Sequence, residues 1–259
     1  MTTQPYYMIE FTAASCLFEI RVNDNPMITL NLKGQMSTKI PVNHGISKTG
    51  PLEISIKVLP VLGETFLTTT SFLEYDISLF DVSTGFEEVE QIGNYKTTQV
   101  QDNTSVSLIT DTKLYTATVP YKMNAHWENG LDIADIKDLN SRLRNTFNNI
   151  IDTIKKRDYS TYQEIITQKE YNISTSMYLT QRESQARIKR LIRDFENGYN
   201  VLEFPENVVP ITSAYGKKVT LKRLDGDPAL SYGNIEEQEQ IMLDLEFYWS
   251  KESNKFEVI

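Results

Sequence analysis

The side chains able to do acid–base, metal or nucleophilic chemistry are few, and their spacing does not suit it. The sequence has one cysteine, Cys16, and two histidines, His44 and His126. No two of these fall at the short spacings of a zinc site, so each histidine reads as a loop or turn residue. The phosphate loop G-x-x-x-x-G-K-[ST], the dinucleotide pattern G-x-G-x-x-G, the G-x-S-x-G elbow and H-E-x-x-H do not occur in the sequence. What does recur is the carboxylate. Glu87, Glu88 and Glu90 sit between Gly85 and Gly93, which predicts an acidic loop, and Glu236, Glu237 and Glu239 precede an apolar stretch. Neither run has the alternating oxygen ligands of a calcium loop. Their expected use is solvated charge presented to a basic partner, with no metal, cofactor or catalytic residue assigned.

Total charge favours the same kind of partner. The 259 residues carry a net charge of −9, with 14 acidic and 8 basic side chains in positions 1–130 and 21 against 18 in 131–259. Phosphate is repelled by such a surface, which argues against nucleic acid. A basic protein is attracted, chiefly through its association rate. One cysteine allows no intrachain disulfide, and no run approaches the ~20 apolar residues of a membrane span, so a reducing cytoplasmic setting is expected. Ala13-Ala14-Ser15-Cys16 looks like a lipoprotein cleavage box. However, Glu10 interrupts the apolar stretch before it and no Lys or Arg precedes it. Cys16 also shares a period-two face with Phe18, Ile20 and Val22, which predicts a small buried thiol in a strand.

The elements that must position these groups change character near residue 131. Upstream, strict alternation marks strands at 18–22 and 52–58, with further candidates at 75–80, 105–109 and 115–119. Asn23-Asp24-Asn25-Pro26 and Thr49-Gly50-Pro51 supply turn chemistry, Pro26 being expected to stop the ladder. Downstream, Ile133, Ile136, Leu143, Phe147, Ile150 and Ile154 line one face of a helix over 132–158, with Asp132 as N-cap. A shorter helix follows over 160–167. A third carries a capping box at Thr180 and Glu183 and stops at Gly198. On that helix Ile188, Leu191, Ile192 and Phe195 fall together, and Arg182, Lys189, Arg190 and Arg193 project opposite as a solvated face. Strands are expected at 201–204, 219–224, 240–249 and 255–259. The implied architecture is two domains: an all-β sandwich over 1–125, a linker over 126–131, and an α+β domain over 132–259 with long helices packed on a curved antiparallel sheet.

Two resemblances attach to these patterns. Glu19-Ile20-Arg21-Val22-Asn23-Asp24, Pro41-Val42-Asn43 to Ile46, and Lys48-Thr49-Gly50-Pro51 resemble the galactose-binding-like jelly rolls attached to glycosidases, with Asp24 where those modules have Gly. A sugar site there needs an aromatic platform, for which Tyr6, Tyr7, Phe72 and Tyr75 are the candidates; buried strand aromatics are the simpler reading. The element order of 132–259 resembles the nuclear transport factor 2-like, or ketosteroid-isomerase-like, cone fold, whose pocket serves catalysis in some members and protein binding in others. In 240–249 the odd positions Ile241, Leu243, Leu245, Phe247 and Trp249 are apolar, so that wall of a cone offers no acid or base. Tyr171, Tyr178, Tyr199 and Arg223 could line a pocket.

These readings point to a non-enzymatic protein-binding module. Size, acidity and domain style resemble bacterial immunity proteins that neutralise a toxin, delivered by type VI secretion or similar routes, through direct contact. An enzyme or small-ligand carrier using the cone pocket, and a carbohydrate-binding accessory protein, are the alternatives.

Overall fold

The computed structural model describes residues 3–234 and 238–259. Its sheets are antiparallel, and it divides into two compact units, Met1–Met123 and Asn124–Ile259.

The first unit is β-rich. Its strands are β1 (Pro5–Val22), β2 (Asn25–Pro41), β3 (Gly50–Leu59), β4 (Phe72–Asp81), β5 (Glu87–Lys96) and β6 (Ile109–Ala117). All six belong to one sheet of order β5-β4-β1-β3-β6, with β2 also on β1. β1 organises it. β4 pairs with the N-terminal half of β1, from Pro5 to Ala14, and β3 with the C-terminal half, from Leu17 to Val22, while β2 runs along both. Tyr7, Ile9, Phe11 and Ala13 are buried in the first half, and Cys16, Phe18, Ile20 and Val22 in the second, as the period-two reading of the latter requires. The inward row passes from odd to even positions at Ser15, whose φ of 49° is left-handed, and the β1–β2 register slips there. One extra residue in a strand shifts its side-chain parity, so this bulge keeps both apolar rows inside a curling sheet. The Phe11 and Phe18 rings meet in that interior at 5.2 Å.

Several local expectations change. Asn23 and Asp24 (φ 47° and 58°) form a two-residue hairpin turn, the backbone that Asn and Asp tolerate best. Pro26 does not end the ladder. It lies in β2 opposite Arg21, at a second register slip and on an edge strand, where its missing N–H costs little. Of the strand expected at 105–109, only Ile109 enters β6. β2 and β5 escape the alternation test because each is an edge strand with largely solvated faces.

The second unit is α+β. The helix expected over 132–158 is split into a 3-10 turn at Ile133–Asp135 and α1 (Leu139–Lys155). Asp138, at φ 55°, breaks the path between them. Asp132 does not cap with its side chain; its carboxylate pairs with Lys217 at 2.9 Å. The apolar face itself is as read, with Ile133, Leu143, Phe147, Ile150 and Ile154 buried. α2 (Tyr159–Ser176) runs well beyond the expected 160–167, started by Asp158, which accepts from the Thr161 amide at 3.1 Å. α3 (Gln181–Glu196) has its capping box: Thr180 N–H donates to Glu183 at 2.8 Å, and Glu183 N–H to the Thr180 hydroxyl at 3.3 Å.

Around these helices lie β7 (Asn200–Val201), β10 (Leu230–Asn234) and β11 (Glu239–Leu243) in one sheet, and β8 (Val208–Ser213), β9 (Lys218–Arg223), β12 (Phe247–Ser250) and β13 (Lys255–Val258) in another. The single strand expected over 240–249 is therefore two strands in different sheets, separated by Asp244, Leu245 and Glu246. Its parity survives the break: Leu243, Leu245, Phe247 and Trp249 are buried. The interior is aromatic, with Phe195 against Tyr232 at 4.5 Å, Phe147 against Phe247 at 5.0 Å, and Trp249 against Phe256 at 5.0 Å. Among the described residues no helix is long and apolar enough to cross a membrane.

Candidate functional site

Glu87, Glu88 and Glu90 lie on a strand, not in a loop. β5 is an edge strand, hydrogen-bonded on one side to β4, with Glu87 opposite Asp81, Glu88 opposite Phe80 and Glu90 opposite Leu79. The sequence reads as a loop because β5 has no buried face to impose alternation, and its ladder is interrupted by two bulges that leave Val89 and Ile92 unpaired. The strand is launched by a turn over Val82–Thr84, closed by Gly85 (φ 86°) and Phe86 (φ 67°). Asp81 fixes that turn. Its carboxylate accepts from the Ser83 amide at 2.9 Å, the Ser83 hydroxyl at 2.6 Å and the Thr3 amide at 3.1 Å. The hydrogen bonds from Ser83, with those from the Thr3 and Gln4 amides, hold its pKa below the ordinary aspartate value.

The result is an acidic, exposed flank on a hydrogen-bonded strand and turn. All three glutamates are exposed, and among the described residues none joins an ion pair. Phe86 and Val89, each half exposed, add apolar surface beside them, and Phe86 stacks edge-on to Tyr6 at 5.2 Å. On neighbouring β4, Asp76 accepts from Gln91 at 2.6 Å, and Glu74 pairs with Lys96 at 2.7 Å, the one lysine of β5. Carboxylate charge, an unpaired backbone edge and two apolar side chains thus occur on one strand and the turn that starts it.

The second acidic run is only partly visible: Glu236 and Glu237 lie outside the described residues. Glu239 begins β11, is exposed, and accepts a hydrogen bond from the Tyr199 hydroxyl. That bond joins a residue read from sequence as a partner contact to one read as lining a pocket. Tyr171 is exposed on α2, Tyr178 stands in the left-handed region in the α2–α3 turn, and Arg223 is half-buried at the end of β9. The solvated face of α3 is as expected, with Arg182, Lys189, Arg190 and Arg193 exposed.

A charge cluster that sequence reasoning does not assemble lies around the break before β12. Glu246 pairs with Lys218 and accepts from the Ser213 hydroxyl, and Asp244 pairs with Lys222 at 2.6 Å. Lys218 also stands 5.0 Å over the Trp127 ring. Burial pushes the Glu246 pKa up, but Lys218, Ser213 and Lys222 outweigh it, so the carboxyl stays ionised below its ordinary range. Lys169 joins the same cluster by donating to the Asp244 carbonyl, so the break before β12 is tied to β8, β9 and α2. The charges at even positions, opposite the apolar odd row of 240–249, are the signal that marks it.

Other candidates resolve into structure. Cys16 is fully buried in β1, its thiol 3.6 Å from the Phe72 carbonyl, and burial pushes its pKa to about 11. His44 and His126 stand in 3-10 turns, and both are exposed. No group of three His, Cys, Asp or Glu suited to a metal ion occurs among the described residues. Of the platform aromatics, Tyr6, Tyr7 and Tyr75 are buried. A small cavity of about 100 Å³ on the β1-β3-β6 half of the sheet is lined by Glu19, Arg21, Ser55, Ile56, Lys57, Thr110, Asp111 and Thr112, without an aromatic ring. Its Arg21 is neutralised by Glu19 at 2.6 Å and Asp24 at 2.9 Å.

No protein-family model matches this sequence, and neither a curated protein nor a solved structure matches it.

Proposed function

We propose that this protein is a non-enzymatic protein-binding module that takes a basic protein partner on the β5 flank. One observation carries the reading: Glu87, Glu88 and Glu90 stand exposed and, among the described residues, outside any ion pair on a free sheet edge, next to the exposed Phe86 and Val89. Unneutralised carboxylates on a fixed backbone steer a cationic surface into register, and the adjoining apolar side chains supply contact area once it arrives. A bacterial immunity protein that captures a basic toxin is the specific form of this role that best fits the acidity of the protein, in a cytoplasmic setting and with a β-rich domain of one curled sheet followed by a cone-like α+β domain.

Charges and bulges on an edge strand also guard it against pairing with another copy, and that use needs no partner. The two uses separate experimentally because lysine guards an edge as well as glutamate does, while reversing the sign that a basic partner reads. Affinity purification of the tagged protein from its native host, at low and at high salt, tests the reading. Recovery of one stoichiometric basic protein, lost as salt rises, supports it. Recovery of no specific protein at either salt counts against it, and turns attention to small ligands at the Tyr199–Glu239 corner.

A further inference from the structure

The sequence has two Asn-Gly steps, Asn129-Gly130 and Asn197-Gly198. Asn-Gly is the dipeptide most prone to spontaneous deamidation, because glycine leaves the attacking backbone nitrogen unhindered. In this reaction hydroxide removes the proton of the glycine amide, and that nitrogen attacks the asparagine Cγ. A new C–N bond forms, the bond from Cγ to the amide nitrogen Nδ2 breaks, and ammonia leaves with the proton it gains from water. Water then opens the five-membered succinimide at either carbonyl to give aspartate or isoaspartate. The balance is one water consumed and one ammonia released, with no oxidant or reductant.

The structure treats the two steps differently. At Asn129-Gly130 the attacking nitrogen is occupied: Gly130 N–H donates to the Trp127 carbonyl at 2.9 Å. Gly130 is also packed, since a Cβ there would lie 2.9 Å from the Trp249 carbonyl oxygen and 3.3 Å from the Tyr248 ring. Turning that peptide into the attack geometry breaks a bond and disturbs a packed backbone. At Asn197-Gly198 none of this applies. Asn197 caps the C-terminus of α3 and Gly198, at φ 97°, follows in the left-handed region. Both are exposed, and a Cβ on Gly198 would meet nothing within 4 Å. Among the described residues Gly198 N–H donates no hydrogen bond and the Asn197 side chain makes none. The flanking bonds run past the step, from Asn197 N–H to the Arg193 carbonyl and from Tyr199 N–H to the Asp194 carbonyl.

We infer that Asn197 is a self-deamidating site of the native protein and that Asn129 is protected by its fold. The change puts a carboxylate at the C-terminal end of α3, where the helix dipole already places partial negative charge, and adds one unit to the acidity of the protein. The full-length protein, incubated at physiological temperature across neutral and mildly alkaline pH and followed by peptide mass mapping, tests this. The peptide that includes Asn197 should gain one mass unit about tenfold faster than that with Asn129, with a rate that rises with pH. Asn197→Gln should remove the fast phase and leave the slow one. Equal rates at the two sites would overturn the inference. So would no gain at Asn197 while a short unstructured peptide with the same flanking residues deamidates.

Discussion

Tyr115 of β6 lies across Gly93 of β5, so close that a Cβ on Gly93 would sit 2.6 Å from the tyrosine hydroxyl oxygen. β5 and β6 are the two ends of the strand order and share no ladder. The contact shows that the sheet curls far enough for a side chain of β6 to reach β5, and that this approach depends on a missing side chain. Gly93→Ala should therefore cost about 1–3 kcal/mol through overpacking. Denaturant unfolding of Gly93→Ala, Tyr115→Ala and the double variant measures it. The double variant should be less destabilised than the sum of the two singles, and simple additivity would contradict the contact.

Asn43 acts as a one-residue strand. Its side-chain oxygen accepts from the Tyr7 amide at 2.6 Å and its amide donates to the Pro5 carbonyl at 3.0 Å, with Asn43 itself fully buried. Asn43→Ala removes one hydrogen-bond partner from each of these two backbone groups of β1 and should cost about 2–5 kcal/mol by urea unfolding. A loss below about 1 kcal/mol, the value of a single exposed bond, would show that water reaches those groups.

Asp81 ties the N-terminal residues to the turn that launches β5. Hydrogen bonds depress its pKa below the ordinary 3.8, so its contribution to stability is complete above that value and is lost as pH falls from there through the folded value. Asp81→Asn should lower stability near neutral pH and flatten the acid limb of the stability curve. An acid limb as steep as that of the unaltered protein would place the titrating group elsewhere.

Cys16 reports on opening of the same sheet. Its thiol is buried and its pKa pushed to about 11, so thiol reagents should leave it unmodified in the folded protein and label it at the unfolding rate or through local opening. Stoichiometric labelling within the mixing time, without denaturant, would contradict its burial.

What can be read from sequence follows how strongly each segment is two-faced. The 18–22 row and the helical face from Leu143 to Ile154 set apolar against polar positions, the Thr180–Glu183 box carries its own hydrogen bonds, and all three stand where the residues put them. β2 and β5 lack that contrast, so neither is legible as a strand, and the acidic run of β5 reads as a loop. The parity change at Ser15 and the helix break at Asp138 arise from backbone twist and tertiary fit, which single-residue periodicity does not encode. The same holds for the candidate site. The carboxylates are visible in the sequence, whereas their place on a free edge beside Phe86 and Val89 depends on pairings between distant strands.

The most direct test of the proposed role compares the unaltered protein with Glu87→Lys/Glu88→Lys/Glu90→Lys, side by side, in low-salt affinity purification from the native host. The three side chains are exposed and, among the described residues, outside any ion pair, so circular dichroism and thermal unfolding should show an intact fold, and lysine keeps the edge guarded. A basic protein captured by the unaltered protein should be lost from the variant. Equal capture of the same basic protein by both would contradict it.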